Sequence, residues 1–295
     1  MVSDVILAGD LNIYRTDTVD GRLISYIINH IVNKDISKVA QGKSVVHIKA
    51  DELSKIQIRY PYKSEQNKII TFLGVLSDRI SKQRELIEKL KTYKRGVLER
   101  LLIPKPTWEK TTFGESCNDF SYGMNAAAKS FDGKHKYIRI TDIDDSSHLY
   151  IQDEIVSPNS IPEEKYRVQI GDILFARTGA SVGKSYIYLP SDGELYYAGF
   201  LIRVSVKKEY DCRFVYYQTL SKKYEKWVQL TSARSGQPGI NAEEYKSFEF
   251  YAPDLSEQQR IADLLTKIDT YINMQAKQLD VLSSLKSALL QQMFI

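Results

Sequence analysis

The chain has few of the features that mark secreted, disulfide-bonded or membrane proteins. It has two cysteines among 295 residues, and Cys117 and Cys212 match no disulfide framework or metal-binding spacing. Its apolar runs are far shorter than a membrane span, and no signal-like segment follows Met1. These features favour a cytoplasmic protein with free thiols.

The sequence also lacks the motifs of several catalytic sites. Its four histidines have neither metal-ligand nor catalytic-triad spacing; they are His30, His47, His135 and His148. The glycine-rich residues 179–185 have three residues where a Walker loop has four, and a strand pattern follows them. No Asn/Asp-Pro-Pro-aromatic tetrapeptide, which an adenine methyltransferase needs, occurs. We therefore expect no catalysis, no metal and no cofactor.

The net charge of +4 is only weak support for nucleic-acid binding. Residues 107–256 carry 18 basic and 21 acidic side chains, 18 − 21 = −3, whereas residues 65–102 carry 9 and 5, 9 − 5 = +4. Any nucleic-acid site in the middle of the chain must therefore be a local basic face. The length allows two domains.

One segment occurs twice. Residues 61–102 and 253–294 align without a gap at one offset, 253 − 61 = 192. Both copies carry apolar residues in strict steps of four and three, a 3.5-residue period that predicts a coiled-coil seam. Glutamine and lysine interrupt both seams at the same places. The alternative is two independent core helices. The seam positions are Ile69, Leu73, Leu76, Ile80, Gln83, Ile87, Leu90, Lys94, Val97, Leu101, Ile261, Leu265, Ile268, Ile272, Gln275, Leu279, Leu282, Lys286, Leu289 and Met293.

Each copy has signals for the start of a helix. Ser64 and Ser256 are the expected N-caps, and Ser256 forms a capping box with Gln259. About 37 residues at roughly 1.5 Å each give a rod of about 55 Å. This length is about one and a half turns of B-form DNA at roughly 34 Å a turn.

The segment between the two copies reads mostly as strands and turns, with a helix predicted over residues 213–230 whose Phe214–Trp227 stripe faces the core. The first 60 residues resemble the end of the same domain. At an offset of 190, Ala8-Gly9 matches Ala198-Gly199, Leu11 matches Leu201 and Tyr26 matches Tyr216. Gly42 then matches Gly236, and Ile56-Gln57-Ile58 matches the strand Phe248-Glu249-Phe250. We expect a first domain without its front half.

These features together resemble the specificity subunit of type I restriction–modification systems. The resemblance rests on Gly-Asp-Ile-Leu-Phe-Ala-Arg-Thr-Gly at 171–179, Gln-Pro-Gly-Ile-Asn at 237–241 and Pro-Asp-Leu-Ser-Glu-Gln at 253–258. The first helix start, Pro-Tyr-Lys-Ser-Glu-Gln at 61–66, departs at the usual leucine. The match covers nearly the whole chain.

The resemblance implies an α+β fold in which β-rich target-recognition domains alternate with two long helices that form an antiparallel coiled coil. It divides the chain into a recognition-domain remnant (1–60), a first spacer helix (61–106), a complete recognition domain (107–252) and a second spacer helix (253–295). It also implies a non-catalytic subunit that binds double-stranded DNA and methyltransferase subunits, and indirectly motor–nuclease subunits, with the spacer setting the gap between target halves.

Three groups of residues are candidate DNA contacts. For the cluster at 129–139 the alternative is a solvated charged loop, for 177–184 a β-turn needed for folding, and for 234–237 a positioning loop against the coiled coil. The candidates are Lys129, Lys134, Lys136, Arg139, Arg177, Thr178, Ser181, Lys184, Arg234, Ser235 and Gln237.

Two other functions remain open at this point. The chain could be an inactive or self-pairing truncated cassette that forms a homodimer through the incomplete half. It could also be a coiled-coil adaptor that does not bind DNA.

Overall fold

The computed structural model describes residues 15–39, 50–233 and 236–293. Helices and strands both occur, and the predicted α+β fold class is confirmed. The chain divides into two compact units, one reaching Leu90 and resuming at Tyr271, the other spanning Lys91–Thr270. Each of the two long helices contributes to both units. The four-part domain division predicted from the sequence stays a prediction.

Nine helices lie within the described residues. They are α1 (Gly21–His30), α2 (Asn33–Val39), α3 (Ala50–Ser54), α4 (Lys63–Leu101), α5 (Phe113–Ser116), α6 (Cys212–Gln218), α7 (Lys222–Thr231), α8 (Ala242–Lys246) and α9 (Leu255–Met293).

Ten strands lie in the second unit. They are β1 (Glu109–Thr112), β2 (Cys117–Tyr122), β3 (Ala128–Ser130), β4 (Lys136–Ile138), β5 (Val156–Pro158), β6 (Asp172–Ala176), β7 (Ser185–Ile187), β8 (Leu195–Tyr197), β9 (Leu201–Val206) and β10 (Glu249–Ala252).

The main sheet of the second unit has the order β2-β9-β6-β7, and its neighbouring strands are antiparallel. Every residue of β6 is buried, so this central strand separates two cores. One core contains the predicted Phe214–Trp227 stripe. The single helix predicted over 213–230 is wrong, because Ser221 accepts a hydrogen bond from the Tyr224 amide (3.2 Å) and starts α7 as a separate helix.

The helices α4 and α9 each have 39 residues and are antiparallel in both units. In the first unit, Leu73 near the start of α4 shares a buried cluster with Leu290 near the end of α9. In the second unit, Lys94 pairs with Asp269 at 2.5 Å, and Lys105, past the end of α4, pairs with Glu257 at the start of α9. All predicted seam positions are buried or half-buried except Met293, which is 37% exposed.

The predicted serine N-caps are wrong. In α9 the cap is Asp254, whose Oδ1 accepts from the Glu257 amide (2.9 Å) and the Ser256 hydroxyl (2.7 Å). The helix begins one residue before Ser256, so this serine is already inside it. In α4 the equivalent position is Tyr62, whose carbonyl accepts the amide of Glu65 at 2.9 Å, and Ser64 likewise lies within the helix.

A buried glutamine ties each long helix to the segment before it. In the first unit, Gln66 donates to the Pro61 carbonyl (3.0 Å) and accepts from the amide of Asp20, the N-cap of α1 (3.2 Å). In the second unit, Gln258 donates to the Pro253 carbonyl at 2.9 Å. It accepts from the amide of the N-cap of α6, Asp211, at 3.0 Å. Both glutamines are 2% exposed.

The predicted match of Tyr26 with Tyr216 is wrong by one residue. The two N-caps, Asp20 and Asp211, are related by 211 − 20 = 191. At that offset Tyr26 matches Tyr217, and each tyrosine ring contacts a lysine of the seam. Lys286 lies 6.0 Å from the Tyr26 ring centre, and Lys94 lies 5.5 Å from that of Tyr217.

Part of the predicted first-domain match differs from the structure. Residues 56–58 form no strand; Ile58 instead packs, half-buried, on the cluster that contains Leu23 and Ile70. The strand β10, which those residues were expected to match, is held by β1, and the described part of the first unit has no counterpart of β1. Ala8, Gly9, Leu11 and Gly42 lie outside the described residues.

Two seam glutamines contact each other inside the first unit. Gln83 Nε2 donates to the Oε1 (2.7 Å) and the backbone carbonyl (3.0 Å) of Gln275. The two residues occupy the same position in the two copies, since 275 − 83 = 192. Polar pairs at seam positions fix register and orientation at some cost in stability.

We predict that Gln83→Leu lowers the free energy of unfolding by about 1–3 kcal/mol, because it leaves a buried amide of Gln275 unpaired. The double variant Gln83→Leu/Gln275→Leu should recover most of this loss, since it removes both polar groups. Urea unfolding followed by circular dichroism measures both effects. Gln291→Leu, an exposed position on α9, is the control, and a Gln83→Leu single variant as stable as the wild type would contradict the pairing.

Candidate nucleic-acid interface

Three neighbouring strands bring exposed side chains to one end of the main sheet. Tyr122 ends β2 opposite Ile202, and Ala176 ends β6 opposite Leu201, where β9 begins. Tyr122, Phe200 and Arg177 therefore lie at adjacent strand ends. Phe200 is 64% exposed and Tyr122 is 42% exposed. Together with Gln237 we call these residues the strand-end platform.

Arg177 is held in place by an aromatic ring and a carbonyl. Its guanidinium carbon lies 4.7 Å from the ring centre of Tyr122, within cation–π distance. Its Nη1 lies 3.5 Å from the Gly199 carbonyl. The Tyr122 hydroxyl accepts from the Ala242 amide (3.2 Å), which fixes the ring. No carboxylate among the described residues pairs with Arg177, so its charge remains available to a ligand.

The structure brings together two of the predicted DNA-contact loops. The Gly179 amide donates to the Pro238 carbonyl at 3.0 Å, and the Ile240 amide donates to the Arg177 carbonyl at 2.9 Å. A bridge between Thr178 and Gly239 completes the junction. Gln237 is exposed, and a Cβ at Gly179 would lie 3.3 Å from its side-chain nitrogen. Arg234 and Ser235 lie outside the described residues.

Most of the remaining polar groups of the glycine-rich loop form hydrogen bonds or ion pairs within the domain. The Gly183 amide donates to Ala176 and the Lys184 amide to Ser181, both at 3.0 Å. Lys184 Nζ donates to the Ile143 carbonyl (3.0 Å) and pairs with Asp145. The Lys184 side chain is only 11% exposed, so its charge is neutralised inside the domain. Ser181 is half-buried, and the loop leads into the strand β7.

In the basic cluster at 129–139, some side chains bind other groups of the protein and others are exposed. Lys136 Nζ donates to the Asp192 carbonyl at 2.7 Å. Arg139 forms a two-point ion pair with Asp142 (2.7 and 2.9 Å), and this pair raises the pKa of Arg139. Lys129 and Lys134 are exposed. Of the lysines and arginines in this cluster, these two are the ones whose side chains bind no other group in the part of the chain that the structure describes.

Two titratable groups outside the strand-end platform, His148 and Cys117, are largely buried. Burial lowers the pKa of His148, whose Nδ1 lies 2.8 Å from the Ser185 carbonyl. Burial raises the pKa of Cys117 to about 12, so its thiol stays protonated at neutral pH. Among the described residues no group of histidine, cysteine and acidic side chains could hold a metal ion. No described helix combines the length and apolar character that crossing a membrane requires.

In the first unit, the coiled coil has a second row of residues with the same alternating spacing of four and three. Each member of this row lies one residue before a seam position. Every member is exposed, including Phe72 (50%), Val75 (65%) and Val281 (67%). In an antiparallel helix pair, the residues one position before the seam on one helix lie on the same side of the pair as those on the other helix. We call this row the outer stripe; it contains Lys68, Phe72, Val75, Arg79, Lys82, Leu86 and Lys89 of α4 and Tyr271, Met274, Gln278, Val281 and Leu285 of α9.

The candidate DNA contacts predicted from the sequence did not include Tyr122 and Phe200, which belong to the strand-end platform. Each is next to a glycine, in Tyr122-Gly123 and Gly199-Phe200. A Cβ at Gly123 would lie 2.2 Å from the Ala198 carbonyl oxygen, so the two segments pass in direct backbone contact. An aromatic residue beside a glycine at a strand end is the signal that could have indicated them.

Comparison with known proteins identifies the family. The model of the type I restriction modification DNA specificity domain matches residues 107–283, which is more than half of the chain. The chain therefore belongs to this family of specificity subunits.

Individual relatives are more distant. The type I restriction enzyme StySPI specificity subunit of Salmonella potsdam is 23% identical over 266 residues, 83% of this chain and 57% of that relative. The chain thus spans little more than half the length of this relative. The type I restriction–modification S subunit from M. genitalium is 18% identical, with a TM-score of 0.63 over 94% of this chain and 73% of that one. A structure of a type I system described for its assembly and conformational transition is 17% identical, with a TM-score of 0.55 over 94% of this chain and 71% of that one. These two structures support the fold.

We predict that Gly123→Ala lowers the stability of the second unit by at least about 2 kcal/mol, because the added methyl group overlaps the Ala198 carbonyl. Gly74→Ala is the control. It lies within α4 with nothing within 4 Å of the added carbon, and it should raise stability by about 0.5–1 kcal/mol. Thermal unfolding measures both; an unchanged melting temperature for Gly123→Ala would contradict the close crossing.

Proposed function

We propose that this chain is a non-catalytic DNA-recognition subunit of a type I restriction–modification complex. The second unit binds duplex DNA sequence-specifically through its strand-end platform. The observation that carries the proposal is the Arg177 guanidinium, which lies against the exposed Tyr122 ring and pairs with no carboxylate among the described residues. Family membership supports it independently. The two long helices set the spacing between target halves.

The proposal also includes docking of methyltransferase subunits on the outer stripe. A heptad row that is both apolar and exposed favours contact with further helices, because such a row buries well only against another helix. The row also carries four lysine and arginine side chains on α4, which favours a helical partner with acidic flanks. Motor–nuclease subunits would join through the methyltransferase.

The DNA-binding function predicts that the purified full chain selects a defined sequence from a library of randomised duplexes. Binding to the selected duplex should exceed binding to a scrambled one by at least about 1,000-fold at physiological salt. Fluorescence anisotropy at several salt concentrations measures this ratio. Binding that is equally strong to both duplexes and simply weakens with salt would contradict sequence recognition.

The docking function predicts that Phe72→Glu and Val281→Glu weaken binding of the co-purifying methyltransferase at least about tenfold, because each places a charge in an apolar contact. Thr71→Glu and Ser284→Glu introduce the same charge at exposed positions off the stripe and should have little effect. Sedimentation velocity with titrated methyltransferase measures the affinities. Equal loss in both pairs, or in neither, would contradict docking at the outer stripe.

A further inference from the structure

The strand-end platform contains groups that match the edges of base pairs better than they match phosphates. Besides Tyr122, its exposed uncharged members are an aromatic ring and an amide, Phe200 and Gln237. Neither is a preferred partner of a phosphate, whereas a phenyl ring contacts a thymine methyl group and a glutamine amide pairs with adenine in the major groove.

The neighbouring groups that would suit a phosphate are already used. The amides of Gly179 and Gly183 donate to protein carbonyls. Lys184, the cation of the loop, donates to a backbone carbonyl and pairs with Asp145. The glycine-rich loop therefore supports the position of Arg177 more than it forms an anion-binding nest.

Arg177 itself is prepared for directional hydrogen bonding. A guanidinium has five N–H donors, and the contact with the Gly199 carbonyl uses only one of them at 3.5 Å. The cation–π contact with Tyr122 restricts the guanidinium before any ligand arrives, which reduces the entropy lost on binding. A fixed, planar fork is the geometry that contacts the two acceptors of a guanine edge.

We propose that the strand-end platform reads base pairs directly in the major groove, with Arg177 on guanine, Tyr122 as its positioning residue and Phe200 as an adjacent apolar contact. This inference rests on the proposed DNA-binding function and assigns its base-reading residues. Tyr122 acts through Arg177 and not by touching DNA itself.

The experiment uses the full chain and the duplex that the wild type selects from a randomised library. Affinities are measured for that duplex and for every single-base-pair substitution, at four salt concentrations. Arg177→Lys keeps the charge but loses the planar fork, and we expect discrimination at one G·C pair to fall at least about tenfold while the salt slope stays the same. Phe200→Ala should reduce discrimination at a neighbouring pair.

Tyr122 provides the test of positioning. Tyr122→Leu should reproduce the loss seen with Arg177→Lys at the same G·C pair, and Tyr122→Phe, which retains the ring, should restore discrimination. Lys208→Ala is the control, because Lys208 is an exposed lysine beyond the opposite end of β9. It should leave the selected sequence unchanged. If Tyr122→Leu fails to fold, Arg177→Lys still decides whether Arg177 reads a base.

Two results would overturn the inference, and they are distinguishable. If the wild type selects a sequence but Arg177→Lys retains it at full discrimination, Arg177 is not a base reader. A uniform loss of affinity for Arg177→Ala, with the salt slope reduced by about 1, would then identify a phosphate contact. If the wild type selects no sequence at all, the proposed function fails together with the inference.

Discussion

The structure depends on one buried amide at the start of each long helix. Gln66 and Gln258 use both ends of the side chain, one on a proline carbonyl before the helix and one on the amide that begins a packed domain helix. An unpaired buried amide costs about 1–3 kcal/mol, so breaking either hydrogen bond of the glutamine side chain is unfavourable. The direction of the chain, the start of the rod and the position of the domain helix are therefore fixed by the same side chain.

Within each unit, this constraint also decides which flank of the helix pair is covered. In the first unit, the junction places α1 against Ile70 and Leu290, which lie one position after the seam on their helices. In the second unit, the equivalent flank buries Leu98 and Ala262 beneath the globular domain. Within each unit, taken by itself, the flank after the seam is covered. The outer stripe, the flank before the seam in the first unit, is exposed, and the proposed docking function would give its apolar residues a partner helix.

The parts of the fold that follow from the local spacing of apolar residues were predictable from the sequence. The parts that depend on contacts with distant segments were not. The four-three steps predicted both rods, because a strict 3.5-residue period is typical of paired long helices. The cap of α9 was not predictable, since both Asp254 and Ser256 suit an N-cap and only the backbone decides between them. In the site, glycine and proline indicated the loops of Arg177 and Gln237. The sequence does not distinguish Lys184 from a free lysine, because its acceptors come from residues 143–145, about 40 positions away.

The two copies of the long helix differ in one ion pair. This difference shows which contacts are common to both copies and which are not. Asp269 accepts the Tyr217 hydroxyl at 2.9 Å and pairs with Lys94 at 2.5 Å. At the matching position of the first copy, 269 − 192 = 77, Ser77 donates instead to the Leu73 carbonyl of its own helix at 2.7 Å. The glutamine bridge and the lysine above the tyrosine ring are nevertheless present in both copies. A partly exposed ion pair contributes little stability, so it can be replaced without cost to the junction. The features that both copies retain are the ones that set direction and register, which is what the proposed spacer function requires.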